Sequence, residues 1–233
     1  MKAVEAVNVT YVYPDGTVGI RNVNLSVENG EKVAIVGANG SGKSTLIHVL
    51  SGLLKPTKGV VRILGVEVDG NFEAIRKNIG VVFQNPDDFL FNPTVRDELL
   101  YAPAQLEIPY EKALKIMNDY AKIFEIDHIL DKPPFRLSGG EKKRVEIACV
   151  MMLKPKILFM DEPTANVDGR TRRKIIKFAK DYEGTLIIAT HDLSMIPDVA
   201  EKVVVLNLNK EVEEIGGVEL LEDYDLLERC GVI

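Results

Sequence analysis

The stretch Gly37-Ala38-Asn39-Gly40-Ser41-Gly42-Lys43-Ser44-Thr45 constrains this chain more than any other feature. It lies between a nearly continuous apolar run, Lys32 to Val36, and a second one, Leu46 to Leu54, which read as a buried strand and a helix. Glycines let the backbone curl so that successive N–H groups point inward, and the helix N-terminus behind them adds partial positive charge. Such a loop cradles phosphate oxygens. Lys43 is then placed to reach the β and γ phosphates, and Ser44 to offer its hydroxyl to Mg2+, an ion that binds few protein groups and keeps several waters. Gly37, Asn39, Gly40, Ser41, Gly42 and Thr45 complete the expected cradle.

The rest of the chain supplies a frame for that loop. Apolar residues alternate from Val4 to Val9 and again from Ile20 to Val27, separated by a turn at Pro14-Asp15-Gly16, which predicts antiparallel strands. Leu158 to Met160, Leu186 to Ala189 and Val203 to Leu206 are continuous apolar runs with helical segments between several of them, the pattern of a parallel sheet covered on both faces. Between Pro86 and about Met152 the character changes. Ala113, Ile116, Tyr120, Ala121 and Phe124 recur at helical spacing opposite Lys112, Lys115, Asn118 and Asp119, so residues 86–152 read as a helical insertion into a single domain spanning 1–233. The insertion closes with Pro133-Pro134, which cannot continue a helix.

The chain has 233 residues and a formal charge of -6, an acidic balance that argues against a nucleic-acid partner held by bulk electrostatics. Cys149 and Cys230 lie far apart without metal-like spacing, and read as ordinary buried residues. The first residues lack the apolar stretch of a signal peptide, and no segment is long enough to span a bilayer. Any membrane role must come through a partner.

Two further segments carry chemistry. Ile157 to Glu162 is an apolar run ending in paired carboxylates, and ligands of open parallel sheets collect at the carboxyl ends of strands. Asp161 suits a Mg2+ shell, and Glu162, one residue on, is a candidate to accept a proton from an attacking water. In Ser138-Gly139-Gly140-Glu141, serine and glutamate three residues apart form a capping box. The two glycines are poor residues for a first helical turn, each costing roughly 1 kcal/mol relative to alanine. A bare helix start with a serine hydroxyl is a second anion site.

With these motifs in order, the sequence resembles the ATP-binding subunits of ABC transporters over almost its entire length. Gly37 to Thr45 matches Walker A, Gln84 the Q-loop glutamine, Leu137 to Glu141 the signature, Asp161 and Glu162 Walker B and the general base, Asp168 the D-loop, and His191 the switch histidine. The resemblance implies an α/β fold: a P-loop NTPase, RecA-like parallel-sheet core with an N-terminal antiparallel β subdomain and an inserted α-helical subdomain. It implies ATP and Mg2+ as cofactors, with Ser44, Gln84 and Asp161 on the metal side. It also implies a head-to-tail dimer with a second subunit, identical or paralogous. Each ATP then lies between Walker A of one chain and Ser138, Gly139 and Gly140 of the other. Tyr13 matches the aromatic residue that stacks on adenine; a strand tyrosine half-buried in the sheet is the competing reading.

The stretch Val82 to Val95 is similar to the energy-coupling-factor and cobalt-type importers, which implies integral membrane subunits as partners, peripheral placement on the cytoplasmic face, and a metal ion or vitamin as cargo. Glu141 and the Ala165-Asn166-Val167-Asp168 D-loop depart from the commoner pattern. Phe89, Leu90 and Phe91 between turn residues read as part of a groove for a partner helix, with Phe89 the expected exposed anchor, or as residues packing the insertion. A soluble ABC ATPase acting as an assembly or mechanical switch would share every motif.

Overall fold

The computed structural model describes residues 1–69 and 72–233. Among the described residues, strands and α-helices follow in the order β1 Lys2–Val12, β2 Val18–Glu28, β3 Lys32–Gly37, α1 Lys43–Leu50, β4 Lys58–Ile63, β5 Val66–Glu67, α2 Phe72–Ile75 and β6 Ile79–Val82. Then come α3 Val95–Gln105, α4 Tyr110–Ile123, α5 Gly139–Met151, β7 Ile157–Asp161, α6 Gly169–Asp181, β8 Thr185–Ala189, α7 Ile196–Val199, β9 Lys202–Leu206, β10 Val212–Gly217 and α8 Tyr224–Arg229.

The apolar runs form the centre of a six-stranded sheet, ordered β10-β9-β3-β8-β7-β6. β3 pairs in parallel with both β8 and β9, and β7 lies parallel between β8 and β6. Alternation explains why these strands had to be apolar throughout. Ala34, Val36, Leu158, Met160, Leu186, Ile188, Val203 and Val205 face one core, while Val33, Ile35, Ile157, Phe159, Ile187, Ala189, Val204 and Leu206 face the other. Side chains of a strand alternate between faces, so a sheet covered on both sides needs apolar residues at every position.

The second core is closed by α1 and by a four-stranded antiparallel sheet ordered β2-β1-β4-β5. Val4, Ala6, Val9, Ile20, Val23, Leu25 and Val27 point into it, which is the alternation legible in the sequence. The first core is closed by residues of α3, α4, α5, α6 and α7. Ala113, Met117 and Ala121 bury one face of α4, and Phe124 just past its end is buried with them. Cys149 and Cys230 are both buried and free. Among the described residues, no helix is long and apolar enough to cross a membrane.

Candidate functional site

The phosphate loop takes its shape from one turn. Gly42 caps α1 in the left-handed region at φ 99°, and a Cβ there would lie 2.3 Å from the Gly19 carbonyl oxygen. Only glycine meets both conditions. Lys43, buried to 7% exposure, donates from Nζ to the carbonyls of Gly37 at 2.8 Å and Ala38 at 3.1 Å. Its ammonium is therefore held across the loop, at the place a phosphate anion would share. Burial lowers the Lys43 pKa, and the carboxylates of Glu162 and Asp161 oppose that shift.

A cleft of about 300 Å³ runs from this loop, lined by Tyr13, Asn39, Gly40, Lys43, Thr45, Gln84 and Glu162 among others. Asn39, Gln84 and Glu162 also line the adjoining cleft with His191 and Asp192. The candidates for the phosphate cradle, the general base, the Q-loop and the switch histidine thus meet around one space. A larger cleft, about 810 Å³, lies elsewhere between α4 and α6. Its Arg170 and Lys174 share the one carboxylate of Glu125, at 2.6 and 2.5 Å.

Asp161 ends β7 and is almost fully buried, with Oδ1 left without a hydrogen-bond partner. Burial raises its pKa, and the Ser44 hydroxyl and the neighbouring cations counter the rise. A buried carboxylate oxygen with no partner, next to a hydroxyl, is the donor set that suits a hard divalent cation.

Glu162 follows at φ 44°, a left-handed conformation that costs a non-glycine residue roughly 1–3 kcal/mol. Three contacts hold it there. Its N–H donates to the Ala189 carbonyl at 2.8 Å, and its Oε2 accepts from the His191 N–H at 3.2 Å and meets His191 Nδ1 at 2.7 Å. The twist takes Glu162 off the line of the strand, so successive carboxylates serve different neighbours. The His191 loop is fixed in turn: Asp192 N–H donates to Thr190 Oγ1 at 3.0 Å, and Arg172 Nε to Asp192 Oδ2 at 2.7 Å.

Tyr13 does not stand free in the cleft. Its hydroxyl shares a 2.8 Å hydrogen bond with Thr45 Oγ1, and its ring meets Tyr11 edge-to-face with centroids 4.9 Å apart. Sequence reasoning missed Gly19 and Lys210, which also line the cleft. The Lys210 ammonium donates to the Val18 carbonyl. No local motif marks either residue, since the chain brings them to the loop from the start of β2 and from the turn between β9 and β10.

Ser138 caps α5 with the full capping box: Glu141 N–H donates to Ser138 Oγ at 3.3 Å, and Ser138 N–H to Glu141 Oε2 at 2.8 Å. Ser138 does not line the cleft around Lys43. Asp168 caps α6, accepting from the backbones of Arg170 and Thr171 and from the Thr171 hydroxyl.

The two signature glycines have different reasons to be bare. A Cβ on Gly140 would lie 2.7 Å from Asp168 Oδ2 and 2.8 Å from Thr171 Oγ1, whereas on Gly139 the nearest atom is the Asn166 oxygen at 3.6 Å. Gly140→Ala is expected to cost ~1–3 kcal/mol by overpacking, and Gly139→Ala less than about 0.5 kcal/mol. Calorimetric unfolding of the two variants checks this; equal unfolding temperatures would show that Asp168 yields freely.

The loop after Gln84 corrects one expectation. Phe89 is half-buried and packs on Phe83 with centroids 6.2 Å apart, so it belongs to the packing of the helical region. Phe91 is the exposed aromatic, at 68%, edge-to-face with Tyr101 at 5.1 Å. The reason is Glu98, almost fully buried. It accepts from the Phe91 and Asn92 N–H groups at 2.9 and 2.7 Å and from Asn92 Nδ2 at 3.1 Å, turning the chain so that residue 91 faces out.

Comparison with known proteins agrees with this geometry. The sequence profile of the ABC transporter family matches residues 20–165, more than half of the chain. A putative ABC transporter ATP-binding protein of Archaeoglobus fulgidus is 58% identical, covering 100% of this chain and 98% of that protein. The energy-coupling factor transporter ATP-binding protein EcfA of Methanothermobacter thermautotrophicus is 40% identical over 98% of this chain and 76% of its own length. The structure of cbiO1 from Clostridium perfringens, part of the ABC transporter complex cbiONQ, aligns with a TM-score of 0.83 at 33% identity, over 98% of this chain and 93% of that one. A dimeric ATP-binding cassette in a post-hydrolysis state, bound to ADP and Pi, aligns with a TM-score of 0.77 at 30% identity, over 92% of this chain and 98% of that one. The chain belongs to the ABC transporter family, as an ATP-binding subunit that hydrolyses ATP.

Proposed function

We propose that this chain is the motor of a membrane importer for a vitamin or a metal ion, bound to the cytoplasmic face of the membrane through integral membrane subunits and working as a pair of ATPase subunits. The observation that carries the ATP chemistry is the meeting of Lys43, Gln84, Glu162 and His191 around two adjoining clefts that share Gln84 and Glu162, while the Ser138 helix start lies outside both. One anion site is thus left for the nucleotide of a second subunit. The importer branch is supported by the similarity to EcfA and to cbiO1.

In this reading the adenine lies against Tyr13, and the N–H groups of the loop from Gly37 to Thr45, including Asn39, Gly40, Ser41 and Gly42, hold the phosphates with Lys43. Ser44 and Asp161, with Gln84, would hold Mg2+, which neutralises phosphate charge and orients the β and γ oxygens. Glu162 accepts the proton of the attacking water. His191, in contact with its carboxylate, fixes which way Glu162 points. Ser138, Gly139 and Gly140 of the second subunit close over the γ-phosphate, and Asp168 holds the D-loop against Gly140.

The membrane subunits dock where Phe91, Tyr101 and Tyr110 are exposed beside a cleft of about 400 Å³ lined by Arg96, Leu100 and Ala104. An aromatic anchor beside an apolar groove suits a partner helix. Phe91→Asp is therefore expected to leave the unfolding temperature within about 2 °C and to weaken assembly by roughly 2 kcal/mol or more, some 30-fold. Co-purification with the membrane proteins measures this. Undiminished assembly would remove Phe91 from the interface, and failure to recover any membrane protein with the unaltered chain would favour a soluble switch.

A further inference from the structure

Lys143 and Glu146 stand one turn apart on α5, 1% and 0% exposed, and form an ion pair at 2.9 Å. Both reach off their own helix. Lys143 Nζ donates to the carbonyls of Phe83 and, at 3.1 Å, of Gln84, while Glu146 Oε1 accepts from the Phe83 N–H at 2.6 Å. β6 ends at Val82, paired to Met160, so from Phe83 onward the backbone has left the sheet, with Phe83 itself still partly buried. Its polar groups need partners, and α5 supplies them as two charges. The preceding residue of the helix extends the grip, with Lys142 Nζ on Asp87 Oδ1 at 2.6 Å.

A buried ion pair is a poor source of stability, because desolvation offsets most of the attraction. What this pair does provide is a fixed geometry. It binds the backbone carrying Gln84 to the helix whose first turn is Ser138-Gly139-Gly140, and on no other described helix do a buried lysine and a buried glutamate pair with each other. We infer that Lys143 and Glu146 are positioning residues for hydrolysis. They clamp the Gln84 backbone to α5, so that seating of the Ser138 helix start on one nucleotide moves Gln84 at the other. The inference rests on the roles proposed above for Gln84 and Ser138.

The test uses the full chain with Lys143→Met, with Glu146→Met, and with both. Each single change leaves one charge buried without its partner and is expected to lower the unfolding temperature by several degrees. The double change removes both charges together and should return it to near the unaltered value. The clamp is still gone, so the double variant is expected to keep KM for ATP within about twofold while kcat falls on the order of 10- to 100-fold, the scale of a small misplacement at a reacting centre. A purely structural pair would recover kcat together with stability. A double variant with restored unfolding temperature and kcat within about twofold overturns the inference. If the double variant fails to fold, Lys143→Met assayed below its own unfolding temperature reads the same quantity, and a kcat within about twofold there overturns it equally. Gln84→Ala separates the two levels. Wild-type kcat in Gln84→Ala ends the role given to Gln84, and the clamp falls with it. Loss of kcat in Gln84→Ala, with normal kcat in the double variant, ends the clamp alone.

Discussion

Glu162→Gln is expected to bind ATP normally and to hydrolyse it ~100- to 10,000-fold more slowly. Glutamine has the size of glutamate and can keep a contact with His191, which in the structure lies 2.7 Å from Oε2. It cannot accept a proton at neutral pH. Nothing in the cradle changes: Lys43, Ser44 and Asp161 lie on other elements or one residue earlier, and Glu162 keeps the left-handed backbone at φ 44° that either side chain must adopt. Because closure would no longer end in cleavage, the variant should also collect as an ATP-bound dimer. Steady-state phosphate release and size-exclusion chromatography with ATP measure the two effects. Hydrolysis within about threefold of the unaltered protein would rule out Glu162 as the general base.

The second large effect concerns where Ser138 acts. Ser138→Arg places a bulky cation at the start of α5, and Lys43→Ala removes the ammonium now held by Gly37 and Ala38. Each protein alone is expected to lose nearly all activity, since every seam of its dimer lacks one group. Mixed, the two chains form one seam with an intact Lys43 and an intact Ser138. Recovery of a substantial fraction of hydrolysis is the expected result. Were heterodimers shown to form without any recovery, Ser138 would be serving the nucleotide of its own chain. The capping box makes the experiment clean, because Glu141 N–H to Ser138 Oγ is a local bond at 3.3 Å, and losing an N-cap costs only ~1 kcal/mol.

The fold class was legible because its physics is periodic. A sheet buried on both faces demands apolar residues at each step, and Val33 to Val36, Leu158 to Met160 and Val203 to Leu206 provide them. The phosphate loop and the Asp161-Glu162 pair were legible because backbone curvature and strand ends leave short local signatures. What was hidden depends on contacts across the chain. Gly19 is bare because a Cβ there would lie 2.6 Å from Thr45 Cγ2, which no neighbour in sequence suggests. Lys143 and Glu146 belong to no motif read from the sequence, yet they point inward to backbone that has run out of sheet. Phe89 and Phe91 are chemically alike, and only buried Glu98, several residues on, decides which of them faces outward.

The strand order carries a consequence for how the molecule is made. β3, which ends in the phosphate loop, lies in the sheet between β8 and β9. Ribosomes add ~5–20 residues per second, so the interval between Gly37 and Thr185 leaves both edges of β3 unpaired for roughly 7 to 30 s. The hairpin β1–β2 and helix α1 can cover Val33 and Ile35 early, since all of them lie within the first 50 residues. The opposite face and both edges must wait. Exposed apolar edges are templates for wrong pairing, and contacts so far apart in sequence form slowly. Setting the phosphate loop at the middle of the sheet therefore makes it among the last parts of the nascent chain to gain rigid support.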